Sequence, residues 1–188
     1  MHILETYALL SGAKINQSFI HTEKYDIPYT EYIVFHGDCV KASARQYKNW
    51  NHVLNNLKKR NLSVPIIQIG SLLDHKYDID LSLLGKTNTH QLAYLIKNCT
   101  LFLGYDSFPM HLASHFQRKI VALFCYPSKN SGPYFSQPAD TIILEPNFDI
   151  IKPSYTYDDP EDLINTIDPS VISDNVLKLL GIRYHGIA

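Results

Sequence analysis

Two periodicities alternate along this chain. Continuous apolar runs of strand length occur at Glu31–His36 (EYIVFH), Val64–Ile69, Leu101–Gly104, Ile120–Phe124 and Thr141–Leu144, with Leu81–Leu84 as a shorter candidate. These runs do not alternate with polar residues, as expected of strands covered on both faces. Between them the apolar positions fall at helical spacing. Lys48–Arg60 places Trp50, Val53, Leu54 and Leu57 on one face, with Lys58, Lys59 and Arg60 at the end where the helix dipole favours cations. Thr89–Lys97 forms a second helix, which Thr87 or Thr89 could cap. A short helix follows Asp106 and Ser107 with Pro109 in its first turn, and Pro169–Leu180 closes the series. Residues 1–12 are also helical in pattern, through Ile3, Leu4, Tyr7, Ala8 and Leu10, and Gly12 can end that helix. Residues 13–30 are polar and turn-rich and read as a connector. Strands alternating with helices predict an α/β fold: a single Rossmann-like domain over residues 31–188, with a parallel sheet of about five strands and helices on both faces, and residues 1–30 as a helix-and-linker arm.

Composition narrows the partners. The 188 residues suffice for one core but leave two α/β domains cramped. A formal net charge of −1 gives no basic excess for nucleic acid or an anionic membrane surface. Cys39, Cys99 and Cys125 are few, odd in number and lack CxxC spacing, which argues against a disulfide framework and a zinc site. Cys99 and Cys125 adjoin apolar runs and read as buried thiols. No apolar run approaches the ~18 residues of a membrane span. No basic stretch precedes an apolar one at the start, so no signal peptide is visible, and a cytoplasmic location is the default expectation.

The chemistry concentrates in Thr100–Tyr134, which reads as strand, polar turn, capped helix, strand and a Pro/Ser/Gly-rich loop. In a parallel α/β sheet such a helix start opens at the C-terminal edge, where ligands bind. Within it, GYDSFPMHLASHFQRKIVALFCYPS resembles the donor-site signature of the heptosyltransferase family, glycosyltransferase family 9. EYIVFHGDCVKASARQYKNW, VPIIQIGS and LLGKTNTHQLAYLIKNCTLFLG resemble that family's preceding strands, polar loop and Lys-x-Trp helix start, in the same order from Glu31 to Tyr134. The resemblance implies the C-terminal half of a GT-B fold, the half that holds a nucleotide sugar. The partner half of that plan carries the acceptor and the catalytic base. Residues 1–30 resemble the end of that partner half and its linker. Lipopolysaccharide biosynthesis is the implied context.

The resemblance also assigns candidate roles. Lys48 would reach the diphosphate, or be a solvated lysine. Asp106 would accept from sugar hydroxyls or serve as an N-cap. Ser107, the amides after it and His111 would donate to phosphate, although a helical histidine can also be a packing residue. Ser43 can donate to phosphate, whereas Ala44 cannot. Gly70 and Ser71 end a strand near the expected base or ribose. Lys86 and Thr87 would line the nucleobase pocket, or form a plain loop before a helix. Ser128 and Gly132 would border the sugar.

Two departures stand out. Phe108 replaces the glycine that usually follows Asp-Ser, where glycine permits close approach to the ligand. The acceptor half has no counterpart in these residues, and Glu5, Glu23 and Asp26 do not follow a strand as the family's base does, so no catalytic residue is assigned. Three readings follow. The chain is the donor-binding half of an inverting, metal-independent glycosyltransferase completed by another chain or by a homodimer. Alternatively it is a non-catalytic nucleotide or nucleotide-sugar binding module, or a remnant that keeps only the fold. The expected ligand is an ADP-sugar or another nucleotide-diphosphate sugar, with no cofactor.

Overall fold

The apolar runs form the middle of one sheet. In a computed structural model that describes residues 1–38, 45–149 and 163–182, the strands are β1 (Ile33–Phe35), β2 (Ile66–Gln68), β3 (Leu81–Ser82), β4 (Leu101–Tyr105), β5 (Lys119–Leu123) and β6 (Thr141–Leu144). All neighbours pair in parallel, in the order β3-β2-β1-β4-β5-β6. The short candidate at Leu81–Leu84 does pair, giving six strands. Ile33 lies opposite both Ile66 and Leu101, so β1 is central. This is the doubly wound order, in which the chain reverses its direction of travel between β1 and β4.

Alternate side chains of each strand build two cores. Ile33, Phe35, Leu101, Leu103, Tyr105, Val121 and Leu123 face one layer. There they meet Trp50, Val53, Leu54 and Leu57 of α2 (Trp50–Lys59) and Ile172, Val176 and Leu177 of α5 (Pro169–Leu180). Val34, Ile67, Phe102, Ile120 and Ala122 face the other. They pack on α3 (Thr89–Asn98) and α4 (Phe108–His115) through Ala93, Leu95, Ile96, Met110, Leu112 and Ala113. Each fully buried Leu, Ile or Phe contributes roughly 1.5–3 kcal/mol relative to exposure, so the sheet is held from both sides. Cys99 and Cys125 are buried free thiols, as read from the sequence.

Two helix starts differ from expectation. α2 begins at Trp50, so Lys48 lies in the preceding turn and does not open the helix. The reason is long-range: the Lys48 N–H donates to Asn165 Oδ1 at 2.6 Å, and the first helical carbonyl is that of Asn49, which accepts from Val53. α3 is capped by Asn88, not by Thr87 or Thr89. Asn88 Oδ1 accepts the Gln91 N–H at 2.8 Å, and Gln91 Oε1 accepts the Asn88 N–H at 3.1 Å, a reciprocal capping box.

The first thirty residues lie across the α3/α4 side. α1 (Ile3–Ser11) ends at Gly12, whose left-handed φ of 70° suits glycine, and it buries no residue. His2 Nε2 lies 3.0 Å from the Gly132 carbonyl, and the Tyr134 hydroxyl donates to Glu5. Further on, Ile20, Tyr25, Ile27 and Tyr29 pack on the second core, and Glu23 accepts from Asn88 and Gln91 at 3.0 Å each.

Candidate functional site

Because every strand runs the same way, five strand ends share one edge. β1 ends in His36–Asp38, β2 in Gly70–Ser71, β3 in the segment before Lys86–Thr87, β4 in Asp106–Ser107 and β5 in Cys125–Tyr126. The crevice where the winding reverses lies between β1 and β4. The two ends there are joined directly, with His36 Nδ1 3.2 Å from Ser107 Oγ. Gly104 makes this approach feasible. A Cβ on it would stand 2.8 Å from the His36 carbonyl oxygen and 3.1 Å from the His36 Cβ.

α4 starts at this crevice. Ser107 is its N-cap by position, and its carbonyl accepts the Met110 and His111 N–H groups at 3.0 and 3.2 Å. Its hydroxyl makes no cap bond; it donates instead to the Tyr105 carbonyl at 3.1 Å. Asp106 Oδ1 and His111 Nε2 are within ion-pair distance at 3.7 Å. Asp106 is therefore a neighbour of His111 and not the helix cap. Phe108 is 55% exposed and has no positive φ, so it enters the helix without backbone strain. Its ring is not part of the core.

Two hollows flank the crevice, and the segment leading into α2 borders both. One is lined by Arg45, Tyr105, Asp106, Leu123, Cys125 and Tyr126, with the Arg45 guanidinium 5.4 Å above the Tyr126 ring. The other, of about 300 Å³, is lined by Gly37, Asp38, Tyr47, Lys48, His75 and Tyr77. The Tyr77 hydroxyl donates to the Gly37 carbonyl at 3.1 Å, and burial pushes its pKa up to about 12, so it stays a neutral donor. Asp38 accepts the His75 N–H at 3.0 Å. Burial pushes His36 below the ordinary histidine range, against an opposing pull from Asp74 and Asp38.

The structure thus gathers Lys48, Asp106, Ser107, Phe108 and His111 around the crevice. Gly70 and Ser71 sit one strand further out and are committed to structure. Gly70 has φ +148° and its carbonyl accepts the Gly85 N–H, while the Ser71 N–H donates to Asp74 at 2.8 Å. Lys86 and Thr87 lie two strands from β1, roughly 10 Å away at ~4.8 Å per strand, and are not brought to the crevice. Ser43 lies outside the described residues. Beyond β5, the Ser128 N–H donates to Glu145, and the Gly132 carbonyl is taken by His2. Sequence reading did not single out His36, Arg45 or Tyr77. His36 carried a usable signal, since it ends β1 as Asp106 ends the longer β4 run. Arg45 sits in an aperiodic polar loop that offers none.

Among the described residues no three His, Cys, Asp or Glu side chains are arranged to hold a metal ion, and no helix is long and apolar enough to cross a membrane. Residues 10–148 match the sequence model of glycosyltransferase family 9 (heptosyltransferase). The fold resembles that of the Escherichia coli ADP-heptose lipopolysaccharide heptosyltransferase II, with a TM-score of 0.64 at 18% identity over 82% of this chain and 47% of that one. A family 9 glycosyl transferase from Veillonella parvula gives 0.71 at 17% over 95% and 60%. The dodecameric iron-containing heptosyltransferase TibC, solved in complex with ADP-D-β-D-heptose, gives 0.61 at 13% over 90% and 51%. The chain therefore spans about half the length of the structures it resembles. No curated protein sequence matches it.

Proposed function

The chain belongs to glycosyltransferase family 9, the heptosyltransferase family, and from that premise we propose that its crevice binds the nucleotide-diphosphate part of a sugar donor for inverting, metal-independent transfer. The observation that carries this reading is the Asp106–Ser107–His111 turn, set at the end of β4 where the sheet reverses its winding. An ADP-sugar of the heptose type is the first candidate donor, because the TibC structure contains one.

In such a transfer an acceptor hydroxyl attacks the anomeric carbon from the face opposite the nucleoside diphosphate. Negative charge grows on the departing phosphate. The groups available to offset it are Lys48, Arg45, His111 and the positive end of α4. Lys48 and Arg45 approach from the α2 side, and α4 approaches from the β4 side. A diphosphate between them would meet cations and amides together, which makes charge neutralisation without a metal feasible.

The base that deprotonates the acceptor belongs, on this reading, to an acceptor half outside these 188 residues. The arm carboxylates are already engaged. Glu23 binds Asn88 and Gln91, Glu5 accepts from the His2 N–H at 2.8 Å, and Asp26 pairs with Lys24.

Calorimetric titration with ADP, UDP, GDP and their sugar conjugates, without metal, tests the proposal. One nucleotide family should bind in the micromolar range. Lys48→Ala and Asp106→Ala should each weaken it by about 1–3 kcal/mol, the scale of a lost charge-assisted hydrogen bond. Absence of binding at millimolar ligand would overturn the reading.

A further inference from the structure

β2 and β3 pair in parallel, so the chain must cross over between them, and such a crossover is usually a helix. Residues 69–80 contain none. A loop takes the helix's place beside α2, and its Tyr77 and Ile79 pack on the first core. Between this loop and the lead-in to α2 lies the hollow of about 300 Å³.

A buried polar side chain fixes the loop. Gln68 ends β2 and is 0% exposed. Its Nε2 donates to the His75 carbonyl at 2.6 Å, and its Oε1 accepts the Tyr77 N–H at 3.2 Å. Both ends of the amide are therefore spent on two residues that line the hollow. The Tyr77 ring stands edge-on to Phe35, with centroids 5.3 Å apart, and the His75 ring lies 4.6 Å from that of Tyr77. An apolar residue at this β2 position would bring no polar group to desolvate. What Gln68 supplies is the shape of the hollow's wall.

The lining selects the ligand. Lys48 and Asp38 both border the space and offset one another, so it is no cradle for a diphosphate. The loop contributes two aromatic rings, and the α2 side contributes the amides of Gln46 and Asn51. That combination suits a heteroaromatic base, because rings offer a stacking face and an amide both donates to and accepts from a base edge. Size agrees. Ligand sites run from about 300 to 1,000 Å³, and a hollow at the lower end takes a nucleoside but not a whole nucleotide sugar.

We propose that this hollow receives the nucleoside end of the donor, with the base against Tyr77 and His75 and its edge on Gln46 and Asn51. Lys48 borders the hollow and the crevice alike, so the attached diphosphate would run from one into the other. The proposal rests on the nucleotide-binding reading above and deepens it. It puts the base on the α2 side of the sheet, away from Lys86 and Thr87, where the family resemblance implied it.

An NMR titration of the full chain tests the placement. The probe is whichever of ADP, UDP and GDP the wild type binds in calorimetry. Saturating nucleotide should shift the side-chain amide signals of Gln46 and Asn51 and the ring signals of His75, and leave the Lys86 and Thr87 amides in place. Asn51 is exposed on α2, so Asn51→Leu should keep the wild-type melting temperature while weakening the nucleotide roughly tenfold. Thr87→Ala should leave the affinity unchanged. Shifts confined to residues 86–88, or a loss carried by Thr87→Ala and not by Asn51→Leu, would overturn the placement while the donor-site reading stands. Failure of the wild type to bind any of the three nucleotides would overturn the donor-site reading and the placement with it.

Discussion

Tyr105 shows how a single buried polar atom can place a functional segment. Its hydroxyl receives the Trp50 indole N–H at 2.7 Å and the Tyr47 N–H at 2.8 Å, which clamps the approach to α2 onto the end of β4. Tyr105→Phe removes the common acceptor and strands two buried donors, so a loss of about 2–4 kcal/mol is expected in urea denaturation. An unchanged midpoint would show that water or another acceptor fills the gap. Gly104→Ala is a second test at this scale. Its new Cβ would meet the backbone oxygen of His36 at 2.8 Å, and an overpacked contact of this kind costs about 1–3 kcal/mol. A thermal melt should record that loss, together with weaker nucleotide binding. Asp106, Ser107 and His111 were legible in the sequence because they occupy one contiguous polar turn between an apolar run and a short helix. His36 and Tyr105 were not, because their partners lie 71 and 55 residues away. Those meetings depend on strand order, which no local pattern encodes.

Among the elements, the central strands and α5 were readable because burial on both faces imposes continuous apolar runs, and a helix imposes its own period. The errors fell at helix starts. Lys48 continues the helical pattern of α2 on paper, yet Asn165 holds its amide in a turn. Asn88 outcompetes two threonines for the α3 cap because Gln91 stands three residues later to complete the box. Asn88→Ala should cost about 1 kcal/mol of stability, seen as a lower denaturation midpoint. The arm offers a pH test. Hydrogen bonds from Asn88 and Gln91 hold the Glu23 carboxyl below its usual 4.5. A group with a depressed folded-state pKa gives its full contribution above its unfolded value and loses it as pH falls through the folded one. Amide-exchange protection across residues 20–30 should therefore decline only below about pH 4.5, relative to the domain core. Glu23→Gln should flatten that dependence, and an unaltered profile would assign it to another group.

At the scale of the whole molecule, α1 stands apart. Tyr7, Leu9 and Leu10 are all more than 60% exposed, and no side chain of the helix is buried. Nine residues are too few to hold a helix in water unaided, so its contacts at His2 and Glu5 with the loop beyond β5 are what keep it in place. Deleting residues 1–12 should change stability by no more than about 1 kcal/mol, because neither core loses a member. A larger loss in denaturation would show that α1 is integral to the domain. The two cores, by contrast, are shared across the β1–β4 seam, as α2 and α5 lean on strands from both sides of it. That seam also describes how the molecule could be divided. A chain opened between Cys99 and Thr100 would yield one piece carrying His36, Lys48 and Trp50 and another carrying Tyr105, Asp106 and Ser107. Each piece would hold one side of every contact across the crevice. On the proposed function, a nucleotide gripped from both sides would act as a rivet, raising the association constant of the two pieces by the factor 1 + [L]/Kd. Divided in this way, the domain becomes a two-part reporter whose reconstitution counts its own ligand.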